Sequence, residues 1–507
     1  MNGVYIEITV FLVFFVIFVL VGFLAKNFRR GNLNQLPEWA LGGRRLGTFL
    51  VWFLVGADLY TAYTFIAVPS SMYAVGSIHF FAVPYVSLAF AIAMLTMPKL
   101  WTLSKKRGYV TAGDFVSDRF NSNALAMIIA LTGIVAELPY IALQIVGMRA
   151  ILTGMLTPLG GNVNLASNIA LVLAILVLIG FTYTSGLRGT SLTAVMKDLI
   201  IFTTVIVVIV TVFIAYHSAL HTAFTVKPVY ADLPTKFYNA YWTLFLMSAA
   251  ALYLYPHAIN GSLSSMSAQK LRLSTALLPI YGIGLAFLAL FGLIIYGVPA
   301  AEHVLKITYA NNGAMVVPTL IASVTPSWFT GFAFLGIFIG GLVPAAIMSM
   351  AQATLLTRNV IRYLGRELEE KRETFIAKVS MIFFQLLALA FVFIVPGTYS
   401  ISLQLIGGII ILQTLPAVFL GMYVKRLEKY AVAAGWLAGI VSGVYFEVYS
   451  NFVYFKYTII KTTLMPSSLG LIFVGFMALV INLVVVAVVE GVVYALHKQP
   501  KVLPENI

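Results

Sequence analysis

Apolar runs longer than about 18 residues, the length of a helix that crosses the hydrocarbon of a bilayer, recur from one end of the chain to the other. They predict thirteen spanning helices, at 4–26, 46–75, 78–104, 121–155, 165–185, 189–216, 238–265, 271–298, 326–362, 375–395, 398–423, 429–449 and 468–495. The polar positions between them alternate in charge. The first, third, fifth, seventh, ninth and eleventh loops carry, among others, Arg44 and Arg45, Lys105 to Arg107, Arg188, Lys270 and Arg272, Arg358 to Arg372 with Arg366, and Lys425 to Lys429. Gly160 to Ala166, in one of the other loops, has no charge. Short loops rich in Lys and Arg stay in the cytoplasm. The expected topology therefore has the N-terminus outside and the tail, with Lys498 and Lys501, inside a cell membrane. Val4 to Ala25 follows no basic segment and is longer than a signal-peptide core, so it is expected to remain as a helix.

Composition agrees with this pattern. Hydrophobic residues make up 61% of the chain and charged residues 9%, against roughly 25% charged in an ordinary soluble domain. The net charge of +14 resides in short clusters between apolar runs, which read as topology signals rather than a nucleic-acid surface. With no cysteine, disulfides, thiol catalysis and Cys-ligated metals are excluded. The phosphate-cradling pattern G-x-x-x-x-G-K-[ST] is absent, which argues against an ATP-driven pump. The six histidines form no ligand cluster, so an enzyme is not expected and no cofactor is implied. The lipid bilayer is the evident partner, and no protein partner is suggested.

Two spans carry polar residues, Gly and Pro at membrane depth, where they are costly and mark pathways. The second has Gly56, Asp58, Thr61 and Thr64, with Pro69 beyond; the seventh has Pro256, His257, Asn260 and Gly261. They stand five spans apart. Paired interruptions in corresponding positions point to an inverted-repeat transporter with its site at the bilayer midplane. The expected fold is thus all-α and integral to the membrane, with a five-plus-five core of discontinuous helices over 46–423, in halves 46–216 and 238–423. Residues 4–26 and 429–507 would be peripheral. The ninth span adds Ser349, Gln352 and Thr354, while Pro139 and Pro344 kink their helices. Asp58 and Glu137 need a proton, a partner or a wet cavity. His257 suits a carboxylate partner or proton transfer. Lys197, beside Asp198 near the cytoplasmic end of its span, is expected to snorkel to the headgroups, and Arg149 either attracts an anion or anchors to lipid. The positive end of a half-helix, with neutral donors at Thr61, Thr64, Gln144, Tyr255, His257 and Asn260, suits a substrate carboxylate.

Six segments carry a family likeness: ADLYTAYTFIAVP, RGYVTAGDFVSDRF, LPYIALQ, TYTSGLRGTSLTAVMKD, LYPHAINGSLSS and LVPAAIMSMAQATLLTRN. Together, over roughly residues 40 to 430, they resemble the sodium/solute symporter family, most nearly its monocarboxylate permease branch. The resemblance implies a leucine-transporter-type fold and uptake of short monocarboxylates such as lactate, pyruvate, acetate or propionate. It also implies a sodium site at the carbonyls of Gly56, Leu59 and Ala346 and the hydroxyl of Ser349, served by Asp198. The following position is Met350, whose thioether is a poor ligand for a hard cation. That favours a proton, carried by Asp198, Asp58, Glu137 or His257, with the Lys197 ammonium in the vacant cation position. A sodium-coupled proline- or alanine-type symporter is the alternative; a channel or a transporter-like sensor are the non-transporter readings.

Overall fold

The computed structural model describes residues 2–29, 31–365, 368–394, 400–458, 460–468 and 470–497, which are almost wholly helical. α1 (Asn2–Leu24) and the short α2 (Leu36–Leu41) lead to α3 (Thr48–Ala57), which stops at Asp58. The chain resumes through a π-helical turn, Tyr63–Ala67, into α4 (Val68–Val75). There follow α5 (Ala82–Arg107), α6 (Ala112–Phe120), α7 (Asn123–Leu156), α8 (Val163–Ser185) and α9 (Leu187–Ala215). After α10 (Ala219–Val226), α11 (Tyr238–Leu252) breaks and α12 (Pro256–Leu263) continues at a 48° bend. Next come α13 (Ala268–Leu277), α14 (Pro279–Ile294), α15 (Pro299–Ile307), α16 (Val316–Val324) and α17 (Ser327–Leu355). The last are α18 (Glu370–Ile394), α19 (Ser400–Leu412), α20 (Gly421–Tyr423), α21 (Lys429–Val448) and α22 (Val474–His497).

Among the described residues ten helices are long and apolar enough to cross a bilayer, or twelve if each of two bent pairs is one crossing. This is a multi-pass membrane protein. The expected thirteenth crossing, 46–75, is not reached on length and apolarity, because its break leaves α3 with 10 residues and α4 with 8. The last predicted span also starts late. Leu464–Ser467 and Gly470–Phe473 form an antiparallel hairpin, β1 and β2, in which Leu464 faces Phe473; helix begins only at Val474. Gly470, at φ 93°, takes a backbone conformation that ordinary residues avoid. The join between predicted spans 375–395 and 398–423, with Arg366, Lys498 and Lys501, lies outside the described residues.

α17 forms the centre of the bundle, with 94% of its apolar window buried against 22% for α1 and α22. It packs on α1, α7, α9 and α18. At the end where the basic loops gather, the broken helices are tied together. Leu46, just before α3, donates to Ser264 O (3.2 Å) and accepts from Met266 N (2.9 Å), while Trp101 of α5 donates its indole N–H to Ser265 O at 2.9 Å. Arg188, 1% exposed, pairs with Glu38 of α2, which also holds Arg45. Nearby, Thr111 and Asp114 build a capping box on α6, and Asp114 also accepts from Asn359 (2.9 Å) and Arg358 (3.2 Å) past the end of α17.

Candidate functional site

A helix that stops inside a membrane frees backbone groups that cost several kcal/mol each if left bare. Side chains from three elements take up those freed at Ala57–Tyr63. Thr64 Oγ1 donates to Leu59 O, Thr61 Oγ1 accepts from Tyr63 N (3.1 Å), and Gln144 of α7 accepts from Ala62 N (3.0 Å). The carbonyls of Ala57 and Tyr60 both accept from Lys197 Nζ, each at 2.8 Å, and the same ammonium lies 3.0 Å from Asp198 Oδ1. Lys197 is fully buried. The expectation that it snorkels to the headgroups is therefore corrected: its stem runs inward from α9 and its charge ends on the broken helix.

Asp198 is oriented by Tyr281 of α14, whose hydroxyl donates to Oδ2 at 2.6 Å. Gly56 makes room for that ring, since a Cβ there would stand 2.1 Å from Tyr281 Cζ. Gly56→Ala is expected to destabilise the protein by about 1–3 kcal/mol through overpacking. Thermal unfolding in detergent measures this, and an unchanged midpoint would mean that the ring moves aside without cost. Gly147 plays a similar part on α7, where an added Cβ would lie 2.3 Å from Ala62 Cβ.

The second break has different chemistry. Tyr255 is extended (φ −61°, ψ 136°), as the residue before a proline prefers, and Pro256 opens α12. The polar interruption read at Pro256 thus lies just before it, at Tyr253–Tyr255. Glu137 of α7 meets the new helix end: one carboxylate oxygen, Oε1, accepts from His257 N (2.9 Å) and contacts His257 Nδ1 at 2.6 Å. Tyr140 and Tyr255 flank the imidazole with ring centroids 5.7 and 5.5 Å away. Tyr255 spends its hydroxyl on Gln404 O at 3.2 Å.

Asp58, at the end of α3, is 4% exposed, and neither of its carboxylate oxygens has a hydrogen-bond partner. It lies within electrostatic range of His257 and Lys197. His257 Nε2 and Glu137 Oε2 also lack partners, as do the hydroxyls of Tyr60 and Tyr63. The structure therefore gathers Asp58, Glu137, Lys197, Asp198 and His257 into one buried row between the two breaks. Other candidates are already engaged. Thr61, Thr64 and Gln144 hold the break, and Asn260 lines a separate cavity with about 20 Å³ of water-accessible space beside Thr111, Gly113 and Thr414, room for about one water. Arg149 lies apart from the row, in a cavity with Thr153, Asn164 and Asn312.

The four predicted sodium ligands all have protein partners. Gly56 O accepts from Leu59 N (2.9 Å), Leu59 O from Thr64, and Ala346 O from Ser349 Oγ (3.0 Å), which itself accepts from Gln385 Nε2 (2.9 Å). Tyr281 and Gln385 were not singled out in the sequence. Tyr281 is one of 26 tyrosines, and Gln385 is a lone polar residue in an otherwise plain run.

Comparison with known proteins gives this geometry a frame. The model of the sodium:solute symporter family matches residues 39–442. The chain is 39% identical over 447 residues to a monocarboxylate transport permease protein of Rhizobium johnstonii, covering 86% of this chain and 88% of the relative. It is 32% identical over 434 residues to the uncharacterized symporter YodF of Bacillus subtilis, covering 83% and 84%. A solved Na+-coupled sialic acid symporter, in a substrate-bound outward-open state, superposes with a TM-score of 0.74 over 98% of this chain and 99% of its own, at 17% identity. The fold is thus of the leucine-transporter type, and the relatives are transporters, not enzymes. The chain belongs to the sodium:solute symporter family.

Proposed function

We propose that the protein takes up short monocarboxylates in symport with protons rather than sodium. One observation carries the coupling: the Lys197 ammonium sits on the carbonyls freed by the break in α3, at 2.8 Å from each, and 3.0 Å from Asp198. An ammonium has three N–H donors, and three oxygens surround it. A second monovalent cation on those oxygens would stand about 4 Å away and be repelled by about 4 kcal/mol at an effective dielectric constant near 20. Met350, buried beside Ser349, offers no oxygen to replace them. The substrate class is supported by the permease relative and by a site whose open groups include a histidine ring nitrogen and buried tyrosine hydroxyls.

The test is uptake of labelled lactate, acetate and pyruvate into proteoliposomes under proton and sodium gradients imposed separately. Accumulation should follow the proton gradient in sodium-free medium and remain at the background level with sodium alone. Sodium-driven accumulation would overturn the coupling, and uptake of alanine or proline in place of all three acids would overturn the substrate class.

A further inference from the structure

The basic residues at the start of α18, which in the sequence mark only topology, line a cavity. It measures about 320 Å³ and lies where α8 ends, α18 begins and the chain approaches α2. Lys371, Arg372 and Lys378 face it together with Asn34, Tyr183 and Glu369. Two neighbouring carboxylates are spent elsewhere: Glu370 accepts from Gln35 Nε2 at 3.0 Å, and Glu373 pairs with Arg358 at 3.3 Å. The cations are not. Among the described residues the side chains of Lys371 and Arg372 have no hydrogen bond or ion pair, and the Lys378 ammonium has only the Tyr183 ring, 5.1 Å from its centroid. Three cations thus share one carboxylate, Glu369, in a space far larger than a water needs. Phe375 also lines the cavity and begins an exposed apolar row, Phe375, Val379 and Phe383, whose four-residue spacing keeps it on one face of α18.

We infer that this cavity holds the phosphate of an anionic phospholipid from the leaflet at the basic-loop end, with its acyl chains laid along the Phe375–Phe383 row. Arg372 suits two phosphate oxygens at once, and the two lysines act as point charges. A zwitterionic headgroup brings a cation of its own, which three cations and a single carboxylate repel; a net-negative headgroup does not. Free phosphate meets the same charges but gains nothing from the apolar row. The site sits on a structural corner. Thr374 donates to Asn34 O at 2.8 Å, and Asn34 leads into α2, whose Glu38 holds Arg45 and Arg188. A lipid seated there braces that corner, so it raises the temperature at which the protein unfolds.

Binding of a fluorescent phosphatidylglycerol to the full-length protein in a neutral detergent tests this. The wild type should bind it about tenfold more tightly than the matching phosphatidylcholine and melt later in its presence, while inorganic phosphate at the same concentration neither displaces it nor shifts melting. Changing Lys371, Arg372 and Lys378 together to Gln should weaken phosphatidylglycerol about a hundredfold, at about fivefold for each cation near a charged surface, and leave phosphatidylcholine unchanged. Lys105→Gln with Lys106→Gln, which removes two exposed cations at the end of α5 away from the cavity, should bind as the wild type does. An equal loss in that control would reduce the effect to general surface charge and overturn the site. Displacement by inorganic phosphate would overturn the lipid as its occupant. Should the triple variant not fold, Arg372→Gln alone, at an exposed position, should cost about fivefold, and unchanged binding there refutes the inference. So does a wild type that fails to distinguish phosphatidylglycerol from phosphatidylcholine.

Discussion

Replacing Lys197 with Met is expected to abolish uptake and to lower the stability of the purified protein by about 3–5 kcal/mol, the cost of leaving one member of a buried ion pair uncompensated. Two carbonyls of the broken helix, at Ala57 and Tyr60, lose their donor at the same time as Asp198 loses its counter-charge. The double change Lys197→Met with Asp198→Asn should recover much of that stability, because it removes both charges. A smaller side chain offers a sharper test. Lys197→Ala opens the oxygens to solvent cations, so its melting temperature should rise with sodium and not with choline, whereas the wild type responds to neither. A Lys197→Met protein that melts and transports like the wild type would remove the ammonium from the account altogether.

Glu137→Ala carries the second large effect. Glu137 Oε1 alone meets both the first amide of the α12 end and the His257 ring nitrogen, so truncation leaves a buried helix end without an acceptor and an imidazole without its partner. Loss of a buried charged acceptor costs about 3–5 kcal/mol, and substrate affinity should fall with the orientation of the ring. Glu137 acts through His257, so it is a positioning residue. Glu137→Gln can still accept from the amide, and should therefore fold nearly as the wild type does. If the carboxylate sets the protonation of the imidazole, Glu137→Gln will show a lactate half-saturation that depends on pH differently from the wild type. If Glu137→Gln keeps the wild-type pH profile, the carboxylate serves only to cap the helix.

The helical architecture and the two breaks were legible because lipid penalises polar backbone and side chains strongly enough to leave a mark in one dimension. Asp58 and His257 stand out as charged or polar residues in apolar runs. The position of the second break was read a little late, since proline advertises itself although it begins the new helix rather than ending the old one. The meaning of Lys197 was not legible. Its reach of 140 residues back to Ala57 depends on how α9 packs on α3, whereas its place beside Asp198 and near a helix end matches many anchoring lysines. The hairpin before α22 was missed for a similar reason: strands of four residues each are too short for alternation to rise above the surrounding hydrophobicity.

The fastening at the basic-loop end bears on how such a molecule can move. Leu46, Ser264, Ser265, Met266 and Trp101 join the start of α3, the end of α12 and α5 through two backbone hydrogen bonds and one indole bond. Leu46 and both serines are buried, so water cannot readily replace a bond that parts. For either broken helix to swing alone, that clasp would first have to tear. The two half-helices below the breaks are thus yoked, and the flexible joints are the breaks themselves, where Lys197 meets the carbonyls of Ala57 and Tyr60 on one side and Glu137 meets His257 on the other. Charge at the centre and hinge of the machine are therefore the same residues, and altering the first unavoidably resets the second.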